Sequence, residues 1–171
     1  MDKIILDNLE QFHNIFRRFR SHDGLGSWFR GQSDIDWDLL PKAGRKSFLL
    51  PDNRDLGRFN DWATDAIAYA ELPNSELEKL AIAQHHGLAT RLLDWTKNPL
   101  VAAFFSVISN PKKDGAIFIL EIPNLLCKNN ISLEKLKEHN GVLGYIPRSI
   151  TQRVINQKGL FTVHCPANKE I

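Results

Sequence analysis

The stretch AQHHGLATRLLDWTKNPLVAAFF, Ala83 to Phe105, decides how the rest of the chain is read. Two histidines, an arginine, an aspartate, a tryptophan and two threonines interrupt a run rich in residues that belong in a core. A segment with only a packing role keeps its polar groups at turns and on one wet face, because burying them unpaired is costly. The elements inside the stretch follow from spacing. Ser75 and Glu78 stand in capping-box spacing, so a helix is predicted from Ser75 through Leu77, Leu80, Ala81 and Gln84, with Gly87 as its C-terminal stop. Thr90 to Trp95 suits a strand. Asn98 followed by Pro99 marks a helix start, since Asn caps and Pro is favoured at the first helical position, and LVAAFFSVI continues it as a buried helix.

The surrounding chain is consistent with one domain over residues 1–171. Its 43% hydrophobic and 25% charged content is that of a globular domain with a core of its own. No apolar run approaches the ~20 residues that cross a bilayer, and MDKIILDNLE lacks the pattern of a signal peptide, so no membrane association and a cytoplasmic location are expected. Cys127 and Cys165 have no paired spacing, which argues against a disulfide scaffold or a zinc knuckle. A net charge of +2 with mixed signs provides no basic stripe, so a nucleic-acid partner is unsupported.

Upstream, Asp7 and Glu10 stand in capping-box spacing around a stripe of Leu9, Phe12, Phe16 and Phe19, which predicts a first helix of roughly three to four turns. GSWFRGQ reads as a strand with Trp28, Arg30 and Gln32 on one side and Phe29 and Gly31 on the other. A second helix is predicted over Asp55 to Ala70, with Leu56, Phe59, Ala63 and Ile67 inward. Downstream, AIFILEI is a continuous apolar run that fits an interior strand. Ser132 opens a short helix ending near Gly141. The segment GYIPRSITQRVINQKGLFTVHCP suggests a loop, a helix around Ser149 to Gln157, a stop at Gly159 and a strand LFTVH. The expected fold is α+β, a small mixed β-sheet with flanking helices.

Several polar residues are candidates for a site. His85 and His86 are neighbours on a helix, about 100° apart, so both cannot readily ligate one ion and no metal is expected. One of them could face a ligand or move a proton near neutral pH, held by Gln84 or Asp94, while the other caps last-turn carbonyls or lies on the surface. Arg91 and Asp94 fall on opposite faces of a strand, so each needs a partner elsewhere. Asp94 either ties the strand to the amides of the next helix or binds ligand. Trp95 and Thr96 end that strand, where ligands commonly dock. Arg30 offers a planar donor fork beside Trp28 and Gln32, and Gly31 permits close backbone approach. Its structural alternative is a buried pair with an aspartate such as Asp94. Arg153 and Gln157 share a helix face, with Thr162 and His164 alternating on the following strand.

WFRGQ from Trp28 to Gln32, the Ala83 to Phe105 stretch, DGAIFILEI from Asp114 to Ile122 and IPRSITQRVINQKGLFTVH from Ile146 to His164 together resemble the FRG domain family, over nearly the whole chain. Ala89 stands where that family more usually has proline. The family is largely bacterial and phage-borne, and it usually continues with a further strand and helix, which the resemblance implies are lacking here. A second likeness is architectural. In ADP-ribosyltransferases an arginine precedes glycine on an early strand, a Ser/Thr-rich strand feeds a Pro-x-x-Ala-x-x-Phe helix, and a later strand carries a catalytic glutamate. Arg30-Gly31 resembles the first piece, and Asp94-Trp95-Thr96 with Pro99, Ala102 and Phe105 resembles the second. Gln157 stands near the glutamate position, where a neutral amide cannot stabilise oxocarbenium-like charge, so Glu121 or Asp94 is the alternative acid.

These likenesses imply an ADP-ribosyltransferase-like domain that binds a nucleotide or other small anionic ligand, NAD foremost. The implied catalytic residues are Asp94, His85 and Gln157. Arg30, Gln32 and His86 would bind the cofactor, together with Arg91, Trp95, Thr96 and Arg153. The other reading is a non-catalytic sensing or interaction module that keeps the pocket and reports to a protein partner. A hydrolase built on His85 or His86 with Asp94 lacks a recognisable Ser or Cys nucleophile.

Overall fold

Four of the helix starts in this protein are set by side chains that satisfy free amides. The computed structural model describes residues 3–19, 26–110, 112–121, 131–148 and 159–171. In α1 (Leu9–Arg18) the cap is Asn8, whose side chain accepts from the Gln11 amide at 2.9 Å, while Gln11 Oε1 accepts from the Asp7 amide at 2.8 Å. The reciprocal pair is therefore Asn8 and Gln11, not Asp7 and Glu10, and the shift leaves Leu9 exposed while Phe12 and Phe16 are buried. Ser75 caps α3 (Glu76–His85), Asn98 caps α4 (Pro99–Val107) and Ser132 caps α5 (Leu133–Glu138), as their spacing predicts. α2 (Arg54–Ala66) stops short of the expected end, so Ile67 is its C-cap and is 70% exposed instead of facing inward.

Five strands form one sheet: β1 (Trp28–Gln32), β2 (Leu92–Thr96), β3 (Ala116–Leu120), β4 (Gly141–Tyr145) and β5 (Gly159–Cys165), in the order β3-β1-β2-β5-β4. The α+β class holds. Every pairing among the described residues is antiparallel, where a mixed sheet was expected. β3, expected in the interior, lies at an edge. Its apolar residues are explained by cover on both faces: Ile117 and Ile119 pack with Phe12, Phe16 and Phe29, and Phe118 and Leu120 pack with Trp28 and Leu160. β4 was not anticipated, because Gly141 and Gly144 weaken the strand signal of GVLGY. The helix expected around Ser149 to Gln157 lies outside the described residues.

The helices share one face of the sheet. α1 and α4 cover β3 and β1 through Phe12, Phe16, Phe29 and Ala102. α2, α3 and α5 cover β2, β5 and β4 through Leu56, Phe59, Leu77, Leu80, Leu136 and their strand partners. The opposite face buries Trp28, Leu93, Trp95 and Leu160 beneath Leu39. α4 lies so close to β1 that a Cβ on Gly31 would stand 1.8 Å from the Ala102 carbonyl oxygen. This contact uses only one stripe of α4. Ala102 and Ser106 are buried, while Leu100, Phe104 and Val107 are exposed, so the helix is less buried than its apolar sequence predicts.

One irregularity positions the site. β1 pairs with β3 along its length and β2 pairs with β5 along its length, but β1 and β2 meet only where Phe29 stands opposite Thr96. Beyond that pair the ladder between them is open.

Candidate functional site

Arg30 spans the gap. Its Nη1 donates to the Asp94 carbonyl oxygen at 2.8 Å, so a side chain takes the place of a ladder hydrogen bond, and its Nε donates to Gln32 Oε1 at 3.2 Å. Gln32 is itself fixed, donating from Nε2 to the Trp37 carbonyl at 3.0 Å. Burial lowers the pKa of Arg30, the Asp94 carboxylate opposes that shift, and the neighbouring Arg45 adds to it. The guanidinium remains a cation with charged groups on two sides.

α3 ends beside this gap. The Leu88 amide donates to the Ala83 carbonyl and the Gly87 amide to the Gln84 carbonyl, both at 3.0 Å, with Gly87 at φ +95°. This is the left-handed glycine termination that the sequence signalled, with Leu88 packed back on the core. It leaves Gln84 and His85 on the last turn, facing β2. Gln84 Nε2 lies 3.0 Å from both Asp94 carboxylate oxygens, and its Oε1 accepts from the Thr90 hydroxyl at 2.6 Å. Thr90 in turn accepts from the Leu92 amide. Asp94 is thus oriented by an amide, while α4 is capped by Asn98 and not by Asp94.

Arg30, Lys42, Arg45, Gln84, His85, Asp94 and Trp95 line a shared cavity of about 250 Å³. Lys42 and Arg45 come from a single 3₁₀ turn (Lys42–Gly44) and the residue after it. A larger open hollow of about 720 Å³ lies between the end of α2 and the start of α3, but its charged lining holds the Lys79–Glu76 ion pair at 2.9 Å and no converging set. The smaller cleft is the candidate site because unlike groups meet there.

Behind the cleft wall runs a buried polar chain. Trp95 Nε1 donates to Thr162 Oγ1 at 2.9 Å, Thr162 Oγ1 lies 2.9 Å from His164 Nε2, and His164 Nδ1 lies 2.6 Å from the Lys169 carbonyl oxygen. A carbonyl only accepts, so Nδ1 carries the proton and Nε2 accepts from the threonine hydroxyl. Burial holds the His164 pKa down at about 4, against the hydrogen bond to Lys169 and with the charge of Arg30. The ring is neutral at pH 7.

Of the residues expected at a site, Arg30, His85, Asp94 and Trp95 come together on the cleft. Gln32 supports Arg30 from behind. Thr96 is buried and accepts from the Asn98 amide at 3.0 Å, at the corner between β2 and α4. His86 stacks on Trp62 at 6.4 Å, away from the cleft. Arg91 is fully buried: Asp55 receives its Nε at 2.9 Å and its Nη2 at 2.8 Å, and Asn53 Oδ1 receives Nη2 at 3.1 Å. It joins the start of α2 to β2 and does not line the cleft. Glu121 is exposed and outside the cleft lining. Arg153 and Gln157 lie outside the described residues. Lys42 and Arg45 were missed in the sequence; the only local signal was the Pro41 to Gly44 turn, which says nothing about where its cations point.

A family model for the FRG domain matches residues 26–115, more than half of the chain. The chain belongs to the FRG domain family. The match runs from β1 through α4 and takes in every cleft residue named above, whereas the likeness seen at Ile146 to His164 falls outside it. No curated protein and no solved structure matches this FRG domain. Among its described residues no helix is long and apolar enough to cross a membrane.

Proposed function

We propose that the cleft binds a nucleotide, with NAD as the ligand, and that this FRG domain acts on it as an ADP-ribosyltransferase-like enzyme. The observation that carries this reading is the meeting of Arg30 and Asp94, 64 positions apart, on one cavity with His85 and Trp95. In cleavage of the nicotinamide–ribose bond, nicotinamide leaves with the bonding pair and positive charge develops on the ribose. A fixed carboxylate beside that carbon stabilises it. Asp94 is the carboxylate present, oriented by Gln84, and Arg30 takes a phosphate or the nicotinamide amide. His85 accepts the proton of the attacking water or acceptor group. The likeness of Asp94-Trp95-Thr96 and Pro99, Ala102 and Phe105 to the ADP-ribosyltransferase pattern supports the same assignment.

One observation favours the non-catalytic module instead. Among the described residues lining the cleft, Asp94 is the one carboxylate, and Gln84 already engages both its oxygens. In that reading the cleft senses a ligand and reports occupancy to a partner. Incubation with NAD and measurement of free nicotinamide separates the two. The enzyme reading expects release that falls by about 100-fold in Asp94→Asn, the order seen when a charge-stabilising group is lost. It also expects loss in Arg30→Ala at unchanged folding. Binding of NAD without release supports the module, and neither binding nor release overturns both.

A further inference from the structure

Three cations reach the cleft, and none is held as a structural ion pair would hold it. Arg30 donates to the Asp94 carbonyl and the Gln32 amide oxygen, Lys42 Nζ to the Gly87 carbonyl at 3.2 Å, and Arg45 Nε to the Leu40 carbonyl at 3.3 Å. Among the described residues none of the three forms an ion pair. Neutral carbonyls fix a cation's position without cancelling its charge. The one lining carboxylate, Asp94, favours the charge of Arg30 alone and is itself held by Gln84. Arg45 stands close enough to Arg30 to disfavour its charge. Like charges gathered in one hollow repel one another, and an anion entering the hollow relieves that repulsion.

The turn bearing two of the cations is preformed. The Ala43 amide donates to the Thr90 carbonyl at 3.1 Å, and Gly44 is packed so tightly that a Cβ there would stand 2.1 Å from the Ala167 carbonyl oxygen. The turn is therefore clamped between the β2 approach and the C-terminal segment, with Arg30 on the separate strand β1.

We propose that Arg30, Lys42 and Arg45 form a clamp for a pyrophosphate group, which places the diphosphate of the ligand on the Lys42–Arg45 side of the cleft; the inference rests on the nucleotide reading of this site. The N–H groups of Arg30 and Arg45 not engaged by these oxygens suit two phosphate groups and the lysine adds a point charge, whereas a lone carboxylate would leave two of the three cations unanswered.

Isothermal titration with inorganic pyrophosphate and with orthophosphate tests the clamp. The wild-type chain is expected to bind pyrophosphate more tightly than orthophosphate. Lys42→Gln combined with Arg45→Gln is expected to weaken pyrophosphate binding by roughly tenfold for each cation removed. Both residues are exposed, so folding should persist, which melting curves check; Arg45→Lys, which keeps the charge, is expected to bind more tightly than Arg45→Gln. Absence of pyrophosphate binding to the wild type, or equal binding by the double glutamine variant, overturns the clamp. Pyrophosphate binding without any NAD binding keeps the clamp and sinks the NAD reading. Nicotinamide release whose KM for NAD is unmoved in the double variant does the reverse.

Discussion

Arg30 and Arg91 show how the same side chain serves two ends in one small domain. Arg91 is wholly enclosed and its charge is answered by Asp55 through two hydrogen bonds, with Asn53 and the Cys165 sulfur completing its surroundings. Asn53 takes a left-handed backbone, φ 56°, at the N-cap of α2, where its oxygen meets Arg91. Removing one member of such a pair strands a buried charge, so Arg91→Met is expected to cost about 3–5 kcal/mol by chemical denaturation. Pairing it with Asp55→Leu should recover most of that loss, and failure to recover would show that packing, not the stranded carboxylate, dominates. Cleft chemistry per folded molecule should be unchanged in the double variant. Arg30, by contrast, is half-buried and its hydrogen bonds go to neutral oxygens. Both arginines were legible as residues needing partners. Their fates were not, since the partners stand 36 and 64 positions away.

At the scale of elements, the approach of α4 to β1 depends on the missing side chain at Gly31. Gly31→Ala must push the strand from the Ala102 carbonyl or distort α4, and a loss of about 1–3 kcal/mol is expected on thermal or chemical unfolding, the range of overpacked core sites. A loss within about 0.5 kcal/mol, the level of a neutral surface change, would mean the two elements are not in contact as described. The Asn98 cap is a smaller lever. Asn98→Ala should cost about 1 kcal/mol, because the Leu100 amide loses its acceptor at 3.0 Å. The start and end of α3 and the start of α4 were readable because caps and glycine stops act within four residues. The order of strands, the edge position of β3 and the gap between β1 and β2 were not, because they depend on which faces the helices cover.

Across the whole molecule, the chain Trp95–Thr162–His164–Lys169 ties the cleft wall to the C-terminal segment. His164 takes up a proton in the unfolded chain near 6.5 but only near about 4 when folded. Between these values the unfolded state binds more protons, so stability falls as pH drops through that window and is flat in this group above it. The loss attributable to His164 should be on the order of 3 kcal/mol by pH 4, read as the difference in pH slope between wild type and His164→Gln in denaturant titrations. Parallel slopes for the two proteins would refute the assignment. The α+β class, most helix ends and the presence of polar residues that a core does not need were legible in the order of residues, since these follow from hydrogen bonds and periodicities spanning a few residues. That Arg91 belongs to the core, that Lys42 and Arg45 reach the cleft and that Arg30 fills a break in the sheet emerged from the packing of distant segments. Burial and charge pairing are settled between residues far apart in the chain, where local patterning has no reach.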